Sequence, residues 1–434
     1  MNNTSLFLSV CFCLSALMCR AQHLSEYVLN MSKQNQDEAN MHVCCSFVVD
    51  FQKSDSIVMN FGGDKEISIE NLSIYKDSSS LKHHYYPEVK KLVLKGYAGL
   101  ISKMKIEYDY TNLSAFFIYG NGKAELWETS YDEYYYPYLP NTYTDMTINL
   151  ELPDSLVPIC SYPMPNIGKG KYQCTLKGIL QQSLSLAFLK KNAYVHTKIS
   201  EPYNMDVYQI KGMQCDQKRY NELVRLADES ISFFSKVYGE EYLCQSRDIT
   251  SYPAFVFHDG KGFSNRYNIG FISASQHKFS TYPDIYPLVH EIGHRWLGEW
   301  TLLIDDGKPG AYFIKESLNE FMTLMFIRCH YGNDLYKSLI EKCRLEYQKI
   351  RNTSSDEPIK NVVKNNNNVI IYYKGPLILD SVAKEIGYDD FIKLVSSFYK
   401  RYAGQPDLNY SDFTDMVDAI YPYEGRKLKI MIDN

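Results

Sequence analysis

The 434-residue sequence predicts a multidomain chain of β plus α+β class: an N-terminal antiparallel β-sandwich or saddle-shaped sheet domain, then a mainly helical domain. Two observations predict it. Between about His42 and Ile210, short runs of β-formers recur between Gly, Asn, Asp and Pro clusters. From Cys215 onward the apolar residues change period, from alternation to helical spacing. A composition of 45% hydrophobic and 22% charged residues is that of a globular chain able to bury a large core. A net charge of −5 gives no electrostatic case for nucleic acid or an anionic membrane surface.

Residues 1 to 21 read as a signal peptide. The apolar stretch from Leu6 to Cys19 is too short to span a bilayer, and Ala21 supplies a small residue for cleavage. The mature chain is then expected in a secreted, periplasmic or extracellular setting, with no integral membrane span once the leader is removed. No Lys or Arg precedes the apolar core, so an uncleaved anchor stays open, as does lipidation at Cys19, where Met18 is the wrong size for the usual site. Leader removal takes away Cys11, Cys13 and Cys19 and leaves eight cysteines, none in C-x-x-C spacing. Cys44 and Cys45 point to opposite faces of a strand, so one partner cannot serve both.

The first domain is expected over 22–214, with strands in HVCCSFVVDF, SIVMNFGG, EISIENLSIY, SAFFIYGNGKAELW, MTINLELP, SLSLAFL, AYVHTKIS and MDVYQIKG. Tyr is used 38 times, and clusters such as YDEYYYPYLP suit exposed strands and half-buried sandwich surfaces. The second domain is expected over 215–434. DQKRYNELVRLADESISFFSKVYG reads as an amphipathic helix ending at Gly239, SYPAFVFHDG and NIGFISAS as strands, and YFIKESLNEFMTLMFIRCHYG as a helix ending at Gly332. DLYKSLIEKCRLEYQKI is a further helix; after a polar loop, YYKGPLILDSVAKEIG restarts one with Pro376 in its first turn.

Chemistry concentrates in IYPLVHEIGHRWLGEW. His290, Glu291 and His294 form an H-E-x-x-H run flanked by Asp284 as a cap, apolar residues at helical spacing, and Gly298 as a stop. Residues four apart share a helix face, so both imidazoles can meet one metal with Glu291 placed as a base beside it. A catalytic zinc site takes three protein ligands, so another is needed. A third histidine six residues past His294 would require Gly at 297 and His at 300, where the chain has Leu297 and Trp300. Asp305 and Asp306 read as a solvated turn. Glu316 and Glu320 lie one turn apart on one helix face, so either could reach the metal while the other orients a histidine.

These blocks resemble the thermolysin-like gluzincins of the aminopeptidase N and leukotriene hydrolase family. HEIGHRWLGEW is similar to that family's H-E-L-A-H-Q-W-F-G-N, with Glu299 at the Asn, and FIKESLNEF to its W-L-N-E-G-F-A-x-Y, across an intervening stretch of 21 residues. The resemblance implies one zinc ion per chain held by His290, His294 and Glu316, Glu291 as general base, a thermolysin-like catalytic domain, and a peptide substrate. Tyr372-Tyr373-Lys374-Gly375 matches the family's Y-x-K-G block, which implies that Tyr372 donates to the oxyanion. One departure matters: Tyr267 stands where family exopeptidases carry the glutamate of G-A-M-E-N that binds the free amino terminus. Two alternatives to an aminopeptidase therefore stand, an endopeptidase or hydrolase of blocked peptides, and a non-catalytic peptide-binding scaffold of the same fold.

Overall fold

Strict alternation of side chains builds the first region. In Asn40–Asp50 every second residue, from Met41 to Val49, is buried, and Ile101–Asn112 and Tyr143–Glu151 repeat the pattern. A computed structural model describes residues 23–35, 38–51, 55–62, 67–77, 79–81, 83–96, 99–112, 116–119, 123–129, 135–139, 142–181, 183–199, 205–239, 254–258, 266–268, 270–275, 286–297, 308–362, 367–405 and 408–434, with backbone alone at 116–119, 123–129, 180 and 266–268. The leader at 1–21, Asp284, Gly298, Glu299, Trp300, Asp305 and Asp306 lie outside the described residues.

Contacts divide the chain into two compact units, Met1–Ala193 and Tyr194–Asn434. The sequence expectation drew the line near 215, on the change of period. Strands Tyr194–Ile199 and Met205–Ile210, expected in the first domain, instead pair with each other and join the sheet of the second unit through Ala254–His258.

In the first unit an eight-stranded sheet runs Asn166–Gly168, Lys171–Leu180, Tyr143–Glu151, His23–Ser32, Asn40–Asp50, Ile101–Asn112, Ile67–Lys76, Ser79–Ser80. Its pairs are antiparallel except His23–Ser32 with Tyr143–Glu151, which run parallel. Smaller antiparallel sheets of four and three strands complete the unit. The tyrosine cluster differs from expectation: Tyr135, Tyr136 and Tyr138 are buried in an irregular segment, where Tyr135 donates to Leu184 O at 3.1 Å and Tyr136 to Gln181 O. A phenol can enter a core when its hydroxyl finds a carbonyl there. The seven described cysteines are free thiols, with Cys45 buried and Cys44 half-exposed on the opposite strand face.

In the second unit a five-stranded sheet runs Tyr194–Ile199, Met205–Ile210, Ala254–His258, Phe271–Ser275, Arg266–Asn268. The two inner pairs are parallel, and Phe255, Val256, Phe271 and Ile272 are buried as expected of strands covered on both faces. Helix α1, Gln217–Tyr238, is capped by Asp216, which accepts from Arg219 N at 2.8 Å, and stops at Gly239, whose φ of +96° only glycine adopts readily. Next come α2 (Tyr286–Gly293), α3 (Leu318–Tyr331), α4 (Asn333–Gln348), α5 (Gly375–Ile386), α6 (Tyr388–Tyr402), α7 (Tyr410–Ile420) and α8 (Pro422–Asp433). From Leu318 to Ile327, α3 is buried on every side and forms the axis of the unit. No helix among the described residues is long and apolar enough to cross a membrane.

Candidate metal centre

Helix α2 is shorter than the sequence suggests: it ends at Gly293, and tighter turns carry the chain on, with Arg295 N bonded to Ile292 O at 3.2 Å and Trp296 N to Gly293 O at 3.0 Å. His294 still bonds through its N to His290 O at 3.3 Å, so the two imidazoles keep one face. Packing of α2 on α3 dictates Gly293. A Cβ there would meet Asn319 Oδ1 at 2.2 Å, and Asn319 uses its Nδ2 to bond His290 O at 2.8 Å.

Glu316 and Tyr372 lie on two π-helical turns, Phe313–Ser317 ahead of α3 and Ile370–Lys374 ahead of α5. The wider turn leaves carbonyls in need of partners, and Ser317 Oγ donates to Ile371 O at 2.7 Å to tie the turns together. Gly375 permits that approach, since a Cβ there would lie 2.2 Å from Ser317 Oγ. Lys374, buried, is held by Asp356 Oδ1 at 2.9 Å, Glu357 O at 3.1 Å and Asn434 O at 3.3 Å. Tyr372 is thereby fixed with its hydroxyl donating to Glu316 Oε2 at 3.0 Å and its ring 5.7 Å from that of His290.

Three acceptor atoms converge. His290 Nε2 and His294 Nε2 are 3.0 Å apart, and Glu316 Oε2 lies 3.3 Å from the first and 3.4 Å from the second. His294 Nδ1 is 3.0 Å from Leu297 O, which can only accept, so Nδ1 carries the proton and Nε2 the lone pair. His290 Nδ1 is 2.7 Å from Glu320 Oε2, which points its Nε2 lone pair the same way, although that contact is bent off the N–H axis. Buried lone pairs facing one another repel unless a proton or a cation lies among them. Burial pushes the His290 pKa down, but the Glu316, Glu320 and Glu291 carboxylates together outweigh it and raise it well above its ordinary value; for His294, Glu316 and Glu291 together likewise outweigh burial. Burial would raise the Glu316 carboxyl, yet the two imidazoles hold it well below the usual carboxylate range.

The donor set fits zinc. At a Zn–N distance of about 2.05 Å a tetrahedron has edges of about 3.3 Å, close to the three separations above. These three residues are the one group among the described residues that could hold a metal ion, and all three are buried. The structure therefore separates the two candidate carboxylates: Glu316 faces both imidazoles, while Glu320 sits behind His290. Glu291 is buried beside them, near enough for its charge to raise both histidines and Tyr372. Tyr267 sits on the edge strand Arg266–Asn268, antiparallel to Phe271–Ser275, and its side chain lies outside the described residues. Sequence reasoning passed over Tyr286, Ser317 and Asn319. Tyr286 had a signal, its position one turn before His290, whereas the partners of the other two come from turns that meet only in the fold.

No family model and no curated protein matches the sequence. Solved structures do. An M1 zinc metallopeptidase from Deinococcus radiodurans superposes with a TM-score of 0.66 at 11% identity, over 95% of this chain and 94% of that one. The chain has the two-domain M1 metallopeptidase fold. A mutant of that protein bound to a Tyr-Ser-Ala substrate matches with a TM-score of 0.68 at 12% identity, over 95% and 94% of the two chains. Native leukotriene A4 hydrolase from Saccharomyces cerevisiae matches with a TM-score of 0.68 at 14% identity, over 94% of this chain but 66% of the hydrolase.

Proposed function

We propose that the chain is an exported zinc metallopeptidase in which His290, His294 and Glu316 hold one zinc ion. The observation that carries the reading is the convergence of two imidazole nitrogens and a carboxylate oxygen at about tetrahedral separations, in the fold of M1 peptidases. Zinc held there supplies a Lewis acid that polarises the scissile carbonyl and lowers the pKa of water. Glu291 accepts the proton of the attacking water and passes it to the amine nitrogen as the C–N bond breaks. Tyr372 donates its phenol hydrogen to the developing oxyanion. Burial and the charges of Glu316 and Glu291 raise its pKa, so it stays a donor throughout the neutral range.

Protein purified without added metal or chelator is expected to contain one zinc per chain, and Glu291→Gln to keep the zinc while losing roughly 10² to 10⁴ in peptide turnover. Absence of zinc, or full activity in Glu291→Gln, overturns the reading. Peptide binding without turnover in the wild type would instead assign a scaffold role. The leader at 1–21 supports export, and mass spectrometry of the mature amino terminus tests it.

A specific observation favours endopeptidase or blocked-peptide hydrolysis over aminopeptidase action. The sequence resemblance aligns Tyr267 with the family's amine-binding glutamate, and Glu320, the other carboxylate that could take that role, has both oxygens engaged, one by Tyr286 and one by His290. An aminopeptidase would lose nearly all activity on an N-acetylated peptide; here comparable rates on the free and acetylated peptides are expected, and loss on the acetylated one refutes this preference.

A further inference from the structure

We infer that Tyr286 is a positioning residue that sets the metal affinity of the site by fixing the carboxylate behind His290. The inference rests on the zinc reading above and extends it to a side chain outside the ligand set. Tyr286 is the first residue of α2 and lies four residues before His290, so both project from one face toward α3. Its hydroxyl donates to Glu320 Oε1, and Oε2 of the same carboxylate lies 2.7 Å from His290 Nδ1. The three groups form a line, Tyr286 to Glu320 to His290, ending at the Nε2 that faces Glu316.

Geometry shows why the tyrosine is needed. The contact between Glu320 and His290 is close but bent away from the ring N–H axis, so the histidine alone does not fix how the carboxylate is turned. A carboxylate held by one misaligned donor can rotate about its last side-chain bond and release the imidazole from the tautomer that presents Nε2. The Tyr286 hydroxyl removes that freedom by binding the other oxygen. Glu320 is also buried, so an oxygen left without a donor has little access to water in its place. Groups that orient a ligating histidine in this way commonly contribute tenfold to a hundredfold to metal affinity.

The test is a zinc dissociation constant for the full chain, measured by competition with a chromophoric chelator at one pH, for wild type, Tyr286→Phe, Glu320→Gln and the double variant. Tyr286→Phe is expected to weaken zinc binding roughly tenfold or more, Glu320→Gln at least as much, and the double variant no further than Glu320→Gln alone. Unfolding of the metal-free proteins in chelator separates metal affinity from packing. Unchanged affinity in Tyr286→Phe overturns the inference, and so does an equal loss from Tyr286→Phe in the Glu320→Gln background, which would show an effect of packing alone. Should Tyr286→Phe fail to fold, Glu320→Gln carries the test, and wild-type affinity in that variant overturns it. A wild type that binds no zinc would instead refute the zinc reading itself.

Discussion

Buried phenols of the first unit and the metal-centre side chains of the second satisfy their polar atoms in opposite ways. In the sheet-rich unit the backbone satisfies the phenols of Tyr108, Tyr135 and Tyr136: Tyr108 donates to Tyr135 O at 2.6 Å, Tyr135 to Leu184 O at 3.1 Å, and Tyr136 to Gln181 O while accepting from Leu184 N at 3.2 Å, whereas Tyr162 pairs with the Ser183 hydroxyl. In the helical unit His290, His294 and Glu316 are buried and Tyr372 is partly buried, and they bond to one another around a common point. A polar group closed on the backbone holds a core together and has nothing left to offer a ligand. Acceptors aimed at each other store an unfavourable arrangement that an added cation relieves, which is how a site differs from a polar core.

The sharpest break of that contrast is at Tyr372. If its phenol serves the reaction, Tyr372→Phe lowers kcat by roughly 10² to 10³ with KM and zinc content little changed, as for loss of one oxyanion donor. Steady-state kinetics on a peptide substrate checks it; an unchanged kcat makes Tyr372 a packing residue like the tyrosines of the first unit.

Next in size is the clamp behind that tyrosine. Asp356→Asn leaves the buried Lys374 ammonium without its carboxylate and is expected to destabilise the protein by about 1.5 to 3 kcal/mol, read from denaturant unfolding. The pH dependence has a definite sign. Burial works to raise the Asp356 pKa, but Lys374 together with hydrogen bonds from Asn352 N and Tyr347 outweighs it and the net shift is downward. The stabilisation is then complete above the unfolded value of about 3.9 and lost as pH falls through the lower folded value, so wild type and variant converge only below about pH 4.

In the first unit, Tyr136→Phe deletes a hydroxyl that both donates to Gln181 O and accepts from Leu184 N. Two buried backbone groups lose their partner, at a cost of about 1 to 3 kcal/mol. Zinc affinity and peptide turnover, compared at a temperature where both proteins are folded, are expected to stay at wild-type values; a fall in either would mean that the sheet-rich unit supports the site directly.

How much of this could be read from the sequence follows from the range of each interaction. His290 and His294 were legible because four residues on a helix fix their relation locally. Glu316 and Glu320 were both legible as candidates, but the choice between them depends on the π-turn at Phe313–Ser317 and on how α3 meets α2, which spacing does not encode. The strand-rich and helix-rich halves followed from periodicity, while the parallel pairing of His23–Ser32 with Tyr143–Glu151 and the transfer of Tyr194–Ile199 and Met205–Ile210 to the second unit are decided by partners far along the chain. The burial of Tyr135 and Tyr136 was missed for the same reason, since the carbonyls that accept from them are 49 and 45 residues away.

The smallest effect is expected at Asp109, a hydrogen-bonded carboxylate of the first unit that sets a lower bound for the comparison. It accepts from Asn71 Nδ2 at 2.6 Å and lies 2.9 Å from His42 Nδ1, yet its side chain is 41% exposed and that of His42 50%. The Asn71 hydrogen bond, then that of His42, lowers its pKa. Water and salt screen such a pair, so Asp109→Asn is expected to cost no more than about 0.5 kcal/mol at neutral pH, less at high ionic strength. The sign matches that of Asp356: what stabilisation there is exists above about pH 4 and disappears as the carboxylate protonates. Measured side by side under one set of conditions, the two aspartates separate burial from charge; a loss at Asp109 as large as that at Asp356 would mean that pairing alone, without exclusion of water, stabilises this chain.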